Sequence, residues 1–509
     1  MKARLLKTAA KGLILGASIF ALATGAQAAT YVNLHGATAQ YNFWSHYAPT
    51  FLSSVMGCTV ASTNSFSTAD GKSTVTIGTS CTGIPSGDAH NGPNGNTGGA
   101  GDEPNAIYFS YSNKASWDGV GAVIGQYSAS NNGGAANPCS TNFERQVATC
   151  PDDACTGFTT TTAPYICQPI DIGASDVEAS AFVQTSTGTL FGPLDPGTTQ
   201  ITRGFTHANA LNVSGLPASG HYTSGSYSVK NPETPISYPF SFYVNPGVEA
   251  YQCASGIHQG SYCADDRNCG GTAGDFTICT LSTITNLTRL QAVALFSGTI
   301  KDWSEFGAAF PAHPVTLCFR HAGSGTSATL DWGVMNGNGW GTHIYGFGEN
   351  RASTGTPPYI YFNDGTGDLK NCMNWAAGAT FSGADGLASG EEGGAVGYMD
   401  SDNANASGLY TQVAYNGQFA SRVAMHDGIY DDFWTVNRLY VPSGLPQQVV
   451  DFYAAMLTAL KTPANISDAN LGGGRGEFYG TFGELNFPKA TSPTYPSAYS
   501  ASTTPATPN

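Results

Sequence analysis

Val315-Thr316-Leu317-Cys318-Phe319-Arg320-His321-Ala322-Gly323-Ser324-Gly325-Thr326 is the stretch whose reading decides the fold. Five apolar or β-branched residues predict a buried strand, and Gly323-Ser324-Gly325 predicts a break from that strand into a helix. A strand–turn–helix unit belongs to α/β architectures. It is also a way to hold an anion. The first amides of a helix have no internal partner and point along the positive end of its dipole. Glycine lets the backbone come close, Ser324 and Thr326 add hydroxyl donors, and the Arg320 guanidinium can clamp two oxygens at once. Alone, a Gly-Ser-Gly before a helix is more often only a turn and a cap.

Outward from this stretch, strands and helices alternate. Tyr31–Leu34 reads as a strand running into Gly36-Ala37-Thr38, and Phe43, Trp44, Tyr47, Phe51 and Val55 recur at helical spacing, interrupted by Pro49. From Thr59 to Asn105 the Ser, Thr, Gly and Asn content predicts a long loop or β excursion. Ala106–Phe109 resumes a strand, and Ile170–Ile172 ends another at Gly173-Ala174-Ser175-Asp176. Pro239–Val244 opens a second lobe. Asn286 or Thr288 caps a helix bearing Leu290, Val293 and Ala294 that stops near Gly298. Val449, Val450, Tyr453, Met456, Leu457 and Leu460 predict an amphipathic helix between Pro446 and Pro463. No internal repeat is visible. The alternation predicts an α/β sandwich.

The N-terminus bounds the compartment. Lys2, Arg4, Lys7 and Lys11 precede an apolar run from Leu13 to Ala23 and small residues ending Ala26-Gln27-Ala28, the pattern of a secretory signal cut after Ala28. That run is shorter than the roughly 20 apolar residues of a transmembrane helix, and no later stretch approaches that length. A soluble periplasmic or extracellular protein is expected. All twelve cysteines lie beyond the signal, so disulfides are expected, with their pairing left open. Cys253, Cys263, Cys269 and Cys279 are separated by nine, five and nine residues and predict a stapled surface insertion. A zinc site using these thiols and His258 is the rival reading, but it lacks the short CxxC pairs of structural zinc sites.

The formal charge is −15, and loss of the four basic leader residues leaves 16 Lys and Arg against 35 Asp and Glu, or −19. Nucleic acid and anionic membranes are poor partners for such a field. A small anion is not excluded, because a buried ring of donors can hold it against a distant net charge.

The run Asn286 to Gly307 (NLTRLQAVALFSGTIKDWSEFG), Arg320 with Gly-Ser-Gly-Thr, GATxx at Gly36 to Gln40, Gly173-Ala174-Ser175-Asp176 and Gly394-Ala395-Val396-Gly397-Tyr398 together resemble the periplasmic phosphate-binding proteins of ABC transporters. The pieces stand in the family's order over residues 31 to 480, separated by long insertions. The resemblance implies a type II periplasmic-binding-protein-like fold: two α/β lobes joined by hinge strands that close over the ligand. It places the signal at 1–28, lobe 1 at 29–235, lobe 2 at 236–405 with a Cys-rich insertion at 253–279, a return to lobe 1 at 406–487, and a disordered Pro/Ser/Thr/Ala tail at 488–509. Carried over residue by residue, Thr38 and the Ala39 amide donate from the first helix start, and Ser116 stands for the family's Gly-Ser turn residue. Asp176 accepts from the anion, while Arg320, Ser324, Gly325 and Thr326 donate from the second lobe.

Asp176 makes chemical sense if the anion carries a proton. Phosphate near neutral pH does and sulfate does not, so only phosphate or arsenate can pair with a carboxylate in a dry cleft; an unpaired buried group costs about 1–3 kcal/mol. Three departures stand out: Ala39-Gln40 where the family often has Phe-Pro, no leading Gly before Ser116, and Ala322 where an acid often supports the arginine. His35 and His321 flank the proposed ligand groups; a loop histidine is more often solvated than functional.

The resemblance further implies a monomer without cofactor or metal that binds inorganic phosphate and serves an ABC permease. A phosphatase-like enzyme is the second reading, for which no GxSxG, P-loop or HExxH motif is present. An extracellular structural or adhesive protein retaining the fold is the third, favoured by the Cys-rich insertion and tail and opposed by the intact Arg320 and Gly-Ser-Gly-Thr turn.

Overall fold

The computed structural model describes residues 29–61, 65–68, 73–83, 105–125, 139, 141–148, 165–177, 223–224, 227–228, 232–320, 323–335, 356–363, 365–378, 390–403, 408–467 and 478–486. The expected signal, His321, Ala322, Cys150, Cys155 and the expected tail lie outside these residues. No helix among the described residues is long and apolar enough to cross a membrane.

Two sheets organise the chain. In the first, the strand order is Arg438–Tyr440, Ile172–Ser175, Thr30–Gly36, Ile107–Asn113, Ser73–Gly78 and Ser65–Ser67. Thr30–Gly36 runs parallel to both its neighbours, a pairing that needs crossovers and buries both faces. The helix Tyr41–Ser54 supplies one cover by burying Phe43, Trp44, Tyr47, Ala48, Phe51 and Leu52. It runs straight through Pro49, where the periodicity alone suggested an interruption. A helix-interior proline costs about 3 kcal/mol, and the burial of four aromatic rings on one face outweighs it.

In the second sheet the order is Asn286–Leu287, Thr411–Tyr415, Ile236–Val244, Gly394–Asp400, Val315–Arg320 and Tyr359–Asn363. The last three are mutually parallel. Thr288 caps the helix Arg289–Phe296 in a reciprocal capping box with Gln291, and Gly298 ends it in the left-handed region. Gln447–Leu460 forms the expected amphipathic helix, with Pro446 immediately before it.

Ile236–Val244 serves as the hinge. Its first residues pair with Trp434–Val436 and Gly480–Thr481, and its last with Gly394–Asp400 and Thr411–Tyr415. The return strand leaves this pairing at Asn437 and enters the first sheet at Arg438. Two antiparallel segments therefore connect the lobes, as the two-lobed fold requires. The return boundary is corrected: Thr411–Tyr415 still belongs to the second sheet, so the chain rejoins the first at Arg438 rather than at residue 406.

Ten described cysteines are paired, as Cys58–Cys81, Cys139–Cys167, Cys253–Cys269, Cys263–Cys279 and Cys318–Cys372. The insertion is a hairpin, Glu249–Cys253 against Cys279–Thr283, with both its disulfides packed together. Its four sulfurs are consumed in those pairs, which removes the thiolates a zinc ion would need. The buried Asp266 carboxylate organises it by accepting from the amides of Thr277, Ile278 and Cys279.

Candidate functional site

Arg320 ends its strand at the cleft and is 1% exposed. Such a buried cation needs polar neighbours. Its Nη1 donates to Thr366 Oγ1 at 3.1 Å, its Nη2 to Thr38 Oγ1 of the other lobe at 3.4 Å, and its amide to the Tyr398 hydroxyl at 3.1 Å. The Cys318–Cys372 disulfide ties the Arg320 strand to the helix Thr366–Ala376, so the arginine and Thr366 are held in register by a covalent staple.

Beyond Arg320 the chain turns at Gly323 (φ 86°) into the helix Gly325–Thr329. Ser324 is its cap: the hydroxyl accepts from the Ser327 amide at 3.3 Å. The Gly325 amide points across the cleft and donates to Ser116 Oγ at 3.2 Å, and the Trp117 amide donates back to the Gly323 carbonyl at 3.0 Å. Glycine is required at 325, because a Cβ there would lie 2.4 Å from Ser116 Oγ and 2.5 Å from Asp176 Cβ. Thr326 is buried beside it.

The first lobe brings Thr38, Ala39, Ser116 and Asp176. Thr38 opens a short 3₁₀ turn, Thr38–Gln40, and its hydroxyl donates to the Lys114 carbonyl at 3.1 Å. Ser116 is the first residue of the helix Ser116–Val123, which packs on the sheet through glycine. A Cβ on Gly119 would fall 2.3 Å from the Ala174 carbonyl oxygen, and one on Gly173 would fall 2.2 Å from that of Gly119. This close approach sets Ser116 against Asp176. The Ser116 hydroxyl donates to Asp176 Oδ2 at 2.9 Å and accepts from the Asp176 amide at 3.1 Å, while Tyr238 of the hinge strand donates to Asp176 Oδ1 at 2.5 Å.

Asp176 is fully enclosed. Burial raises its pKa above the ordinary aspartate value, against the pull of the Tyr238 and Ser116 hydroxyls, the Arg320 charge and Gln40. Carbonyl and hydroxyl neighbours fix the rest: the Thr435 hydroxyl donates to the Asp176 main-chain oxygen.

Hydrogen bonds thus link Thr38 to Arg320, and Ser116 to both Asp176 and Gly325, while the Arg320 charge acts on Asp176; Ala39, Ser324 and Thr326 are their chain neighbours. Tyr238, Thr366, Asp400, Asp402 and Tyr479 escaped the sequence reading, and Tyr398 enters it only as the end of a motif, without a role in the site. A signal existed for two of them, since Asp400 and Asp402 lie two and four residues beyond Gly394-Ala395-Val396-Gly397-Tyr398. His35 is corrected. It lies on the strand Thr30–Gly36, buried, with Nδ1 2.7 Å from Ser112 Oγ and Nε2 2.9 Å from Asp118 Oδ2, and Arg145 Nε donates to the other Asp118 oxygen at 2.9 Å. It is part of the lobe's interior rather than a solvated loop.

Residues 274–431 match the family model described as "PBP superfamily domain". No curated protein matches the chain at a significant level. Among solved structures, the chain is similar to an ABC-type phosphate transport receptor from Vibrio cholerae, at 14% identity over 48% of this chain and 70% of that one, with a TM-score of 0.27. It is also similar to the phosphate-binding protein from Stenotrophomonas maltophilia, at 12% identity over 85% of this chain and 84% of that one, with a TM-score of 0.36. Over residues 274–431 this match agrees with the periplasmic-binding-protein-like fold that the sequence resemblance implies.

Proposed function

We propose that this protein is an exported receptor that captures inorganic phosphate, or the closely similar arsenate, between its two lobes without turning it over, and passes it to an ABC permease. The observation that carries the reading is the meeting, in one buried cleft, of Thr38, Ser116 and Asp176 from the first lobe with Arg320 and Gly325 from the second. Thr38 and Arg320 alone are 282 positions apart in the chain, and the five residues together make a donor-rich lining with one carboxylate acceptor.

Each group has a separate task. Arg320 supplies a charge that cannot be titrated away and a fork that matches two oxygens. The Gly325 amide, at a helix start, donates to a third, and the Thr38 and Ser116 hydroxyls adapt as donor or acceptor. Asp176 accepts from a protonated oxygen. Phosphate and arsenate offer such a proton near neutral pH, whereas sulfate would set its lone pairs against the carboxylate. Because the lining comes from both lobes, capture and closure are one event: each oxygen bound from one side adds a contact that the other side can complete.

Calorimetric titration with phosphate, arsenate and sulfate tests the proposal. Saturable binding of the first two, with sulfate at least tenfold weaker, is expected; no binding of any of them overturns it.

A further inference from the structure

On the phosphate reading, Asp176 is the acceptor that separates phosphate from sulfate, and part of what holds its carboxyl lies outside the proposed ligand groups. Tyr238, on the hinge strand Ile236–Val244, donates from its hydroxyl to Asp176 Oδ1 at 2.5 Å. Its cross-strand partner Thr435, on the return strand, donates to the Asp176 main-chain oxygen. Paired residues on neighbouring strands place their side chains on one face of a sheet, so the two hinge strands grip the same residue, one by its carboxyl and the other by its backbone. Tyr238 is 1% exposed, and its ring packs against Phe240 and Tyr479 with centroids 5.9 and 5.7 Å away. Tyr479 is fixed in turn, its hydroxyl donating to Asp402 Oδ2 at 2.9 Å.

We propose that Tyr238 is a positioning residue for oxyanion selectivity: from the hinge it aims the Asp176 carboxylate and stabilises its ionised form through one hydrogen bond. The inference rests on the phosphate reading and adds a determinant of specificity to the same site.

The two carboxyl oxygens are held differently. Oδ2 accepts from Ser116, whose oxygen also takes the amides of Asp176 and Gly325 at 3.1 and 3.2 Å. With both lone pairs so occupied, the Ser116 hydroxyl has only its proton to give to Asp176. Ser116 and Gly325 are themselves proposed ligand groups, so an anion that draws on either weakens the hold on Oδ2. Oδ1 is spared that competition, because Tyr238 is not a ligand group. A hydrogen bond to the ionised form of a carboxyl favours that form. Burial raises the Asp176 pKa, and among the groups that pull the other way Tyr238 comes first, ahead of Ser116, Arg320 and Gln40. Tyr111, from the strand Ile107–Asn113, is the other buried phenol influenced by the Asp176 charge. Burial and then Asp176 push the pKa of both phenols well above the ordinary value, so Tyr238 remains a donor. Loss of its hydroxyl should move the titration of Asp176 upward by about one pH unit, tenfold in the ionisation constant. As pH falls, selectivity against sulfate should then be lost earlier.

The test is Tyr238→Phe, which keeps the ring and its packing and removes only the hydroxyl. NMR of the Asp176 carboxyl carbon in the ligand-free protein, assigned with Asp176→Asn, reads the titration itself, and calorimetry with phosphate and sulfate over the same pH range reads the selectivity. A higher midpoint in Tyr238→Phe, with the loss of selectivity displaced by the same amount, is expected. Phosphate's own ionisation is common to both proteins and drops out of the difference. Thr435→Val removes the bond to the Asp176 main chain and none to the carboxyl, so it should leave the midpoint in place. Equal midpoints in wild type and Tyr238→Phe, or the same displacement in Thr435→Val, would overturn the inference and leave the phosphate reading intact. A displaced midpoint in a protein whose wild type binds no phosphate would overturn the phosphate reading and, with it, the selective role of Tyr238.

Discussion

Gly325→Ala separates the function of the cleft from the stability of the fold. The added methyl would sit 2.4 Å from Ser116 Oγ, 2.5 Å from Asp176 Cβ and 2.7 Å from Asp176 Oδ2. Asp176 cannot swing aside, because Tyr238 and Ser116 hold its carboxyl and the Thr435 hydroxyl its carbonyl. The lobes must then part by about an ångström, which strains or breaks the Gly325–Ser116 and Trp117–Gly323 hydrogen bonds across the cleft. Overpacking of this kind costs about 1–3 kcal/mol, and 1.4 kcal/mol is tenfold in affinity. The phosphate Kd should rise about 10- to 100-fold. Within the second lobe the same change replaces glycine by a better helix former, worth up to about 1 kcal/mol in the opposite sense. Melting temperature should therefore hold or rise while affinity falls. Titration calorimetry and a thermal melt on one preparation read both. An unchanged Kd, or a loss of affinity matched by a loss of melting temperature, would refute the reasoning.

Arg320→Ala removes the guanidinium hydrogen-bonded to both Thr366 and Thr38, and should weaken phosphate binding by more than about 2 kcal/mol, some 30-fold, in the same titration. Asp176→Asn keeps the side-chain size but adds a donor, so the ratio of sulfate to phosphate affinity should rise; an unaltered ratio removes Asp176 as the selector. In the wild type the same discrimination needs an ionised Asp176. Since burial raises its pKa, selectivity against sulfate should fade as pH falls through that raised value, at a higher pH than for an ordinary aspartate. Alkylation under denaturing, non-reducing conditions should label at most Cys150 and Cys155, as the other ten cysteines are paired; mass spectrometry counts the adducts.

The parts of the fold legible in the sequence are those governed by neighbours in the chain. Thr288 with Gln291, Gly298, Pro446 and the Gly323-Ser324-Gly325 turn all act over three or four residues, and each stands where local chemistry puts it. The helix through Pro49 and the late return to the first sheet at Arg438 depend on what packs against them, which spacing does not encode. The site divides in the same way. Arg320 and Asp176 sit at strand ends within short motifs. Tyr238 reaches Asp176 across 62 positions and Tyr479 reaches Asp402 across 77, with no motif around either tyrosine. His35 looked like a loop residue because Gly36 follows it, whereas the strand runs through Gly36 and buries the imidazole against Asp118.

The central claim is that an oxyanion is held between Arg320 of one lobe and Thr38 of the other, and its most direct measurement is the anomalous scattering of arsenate in a crystal of the complex. The arsenic peak should lie within hydrogen-bonding reach, through its oxygens, of the Arg320 guanidinium, the Gly325 amide, the Thr38 hydroxyl and the Asp176 carboxyl. A peak elsewhere on the molecule, or a cleft without one at saturating arsenate, would contradict the account.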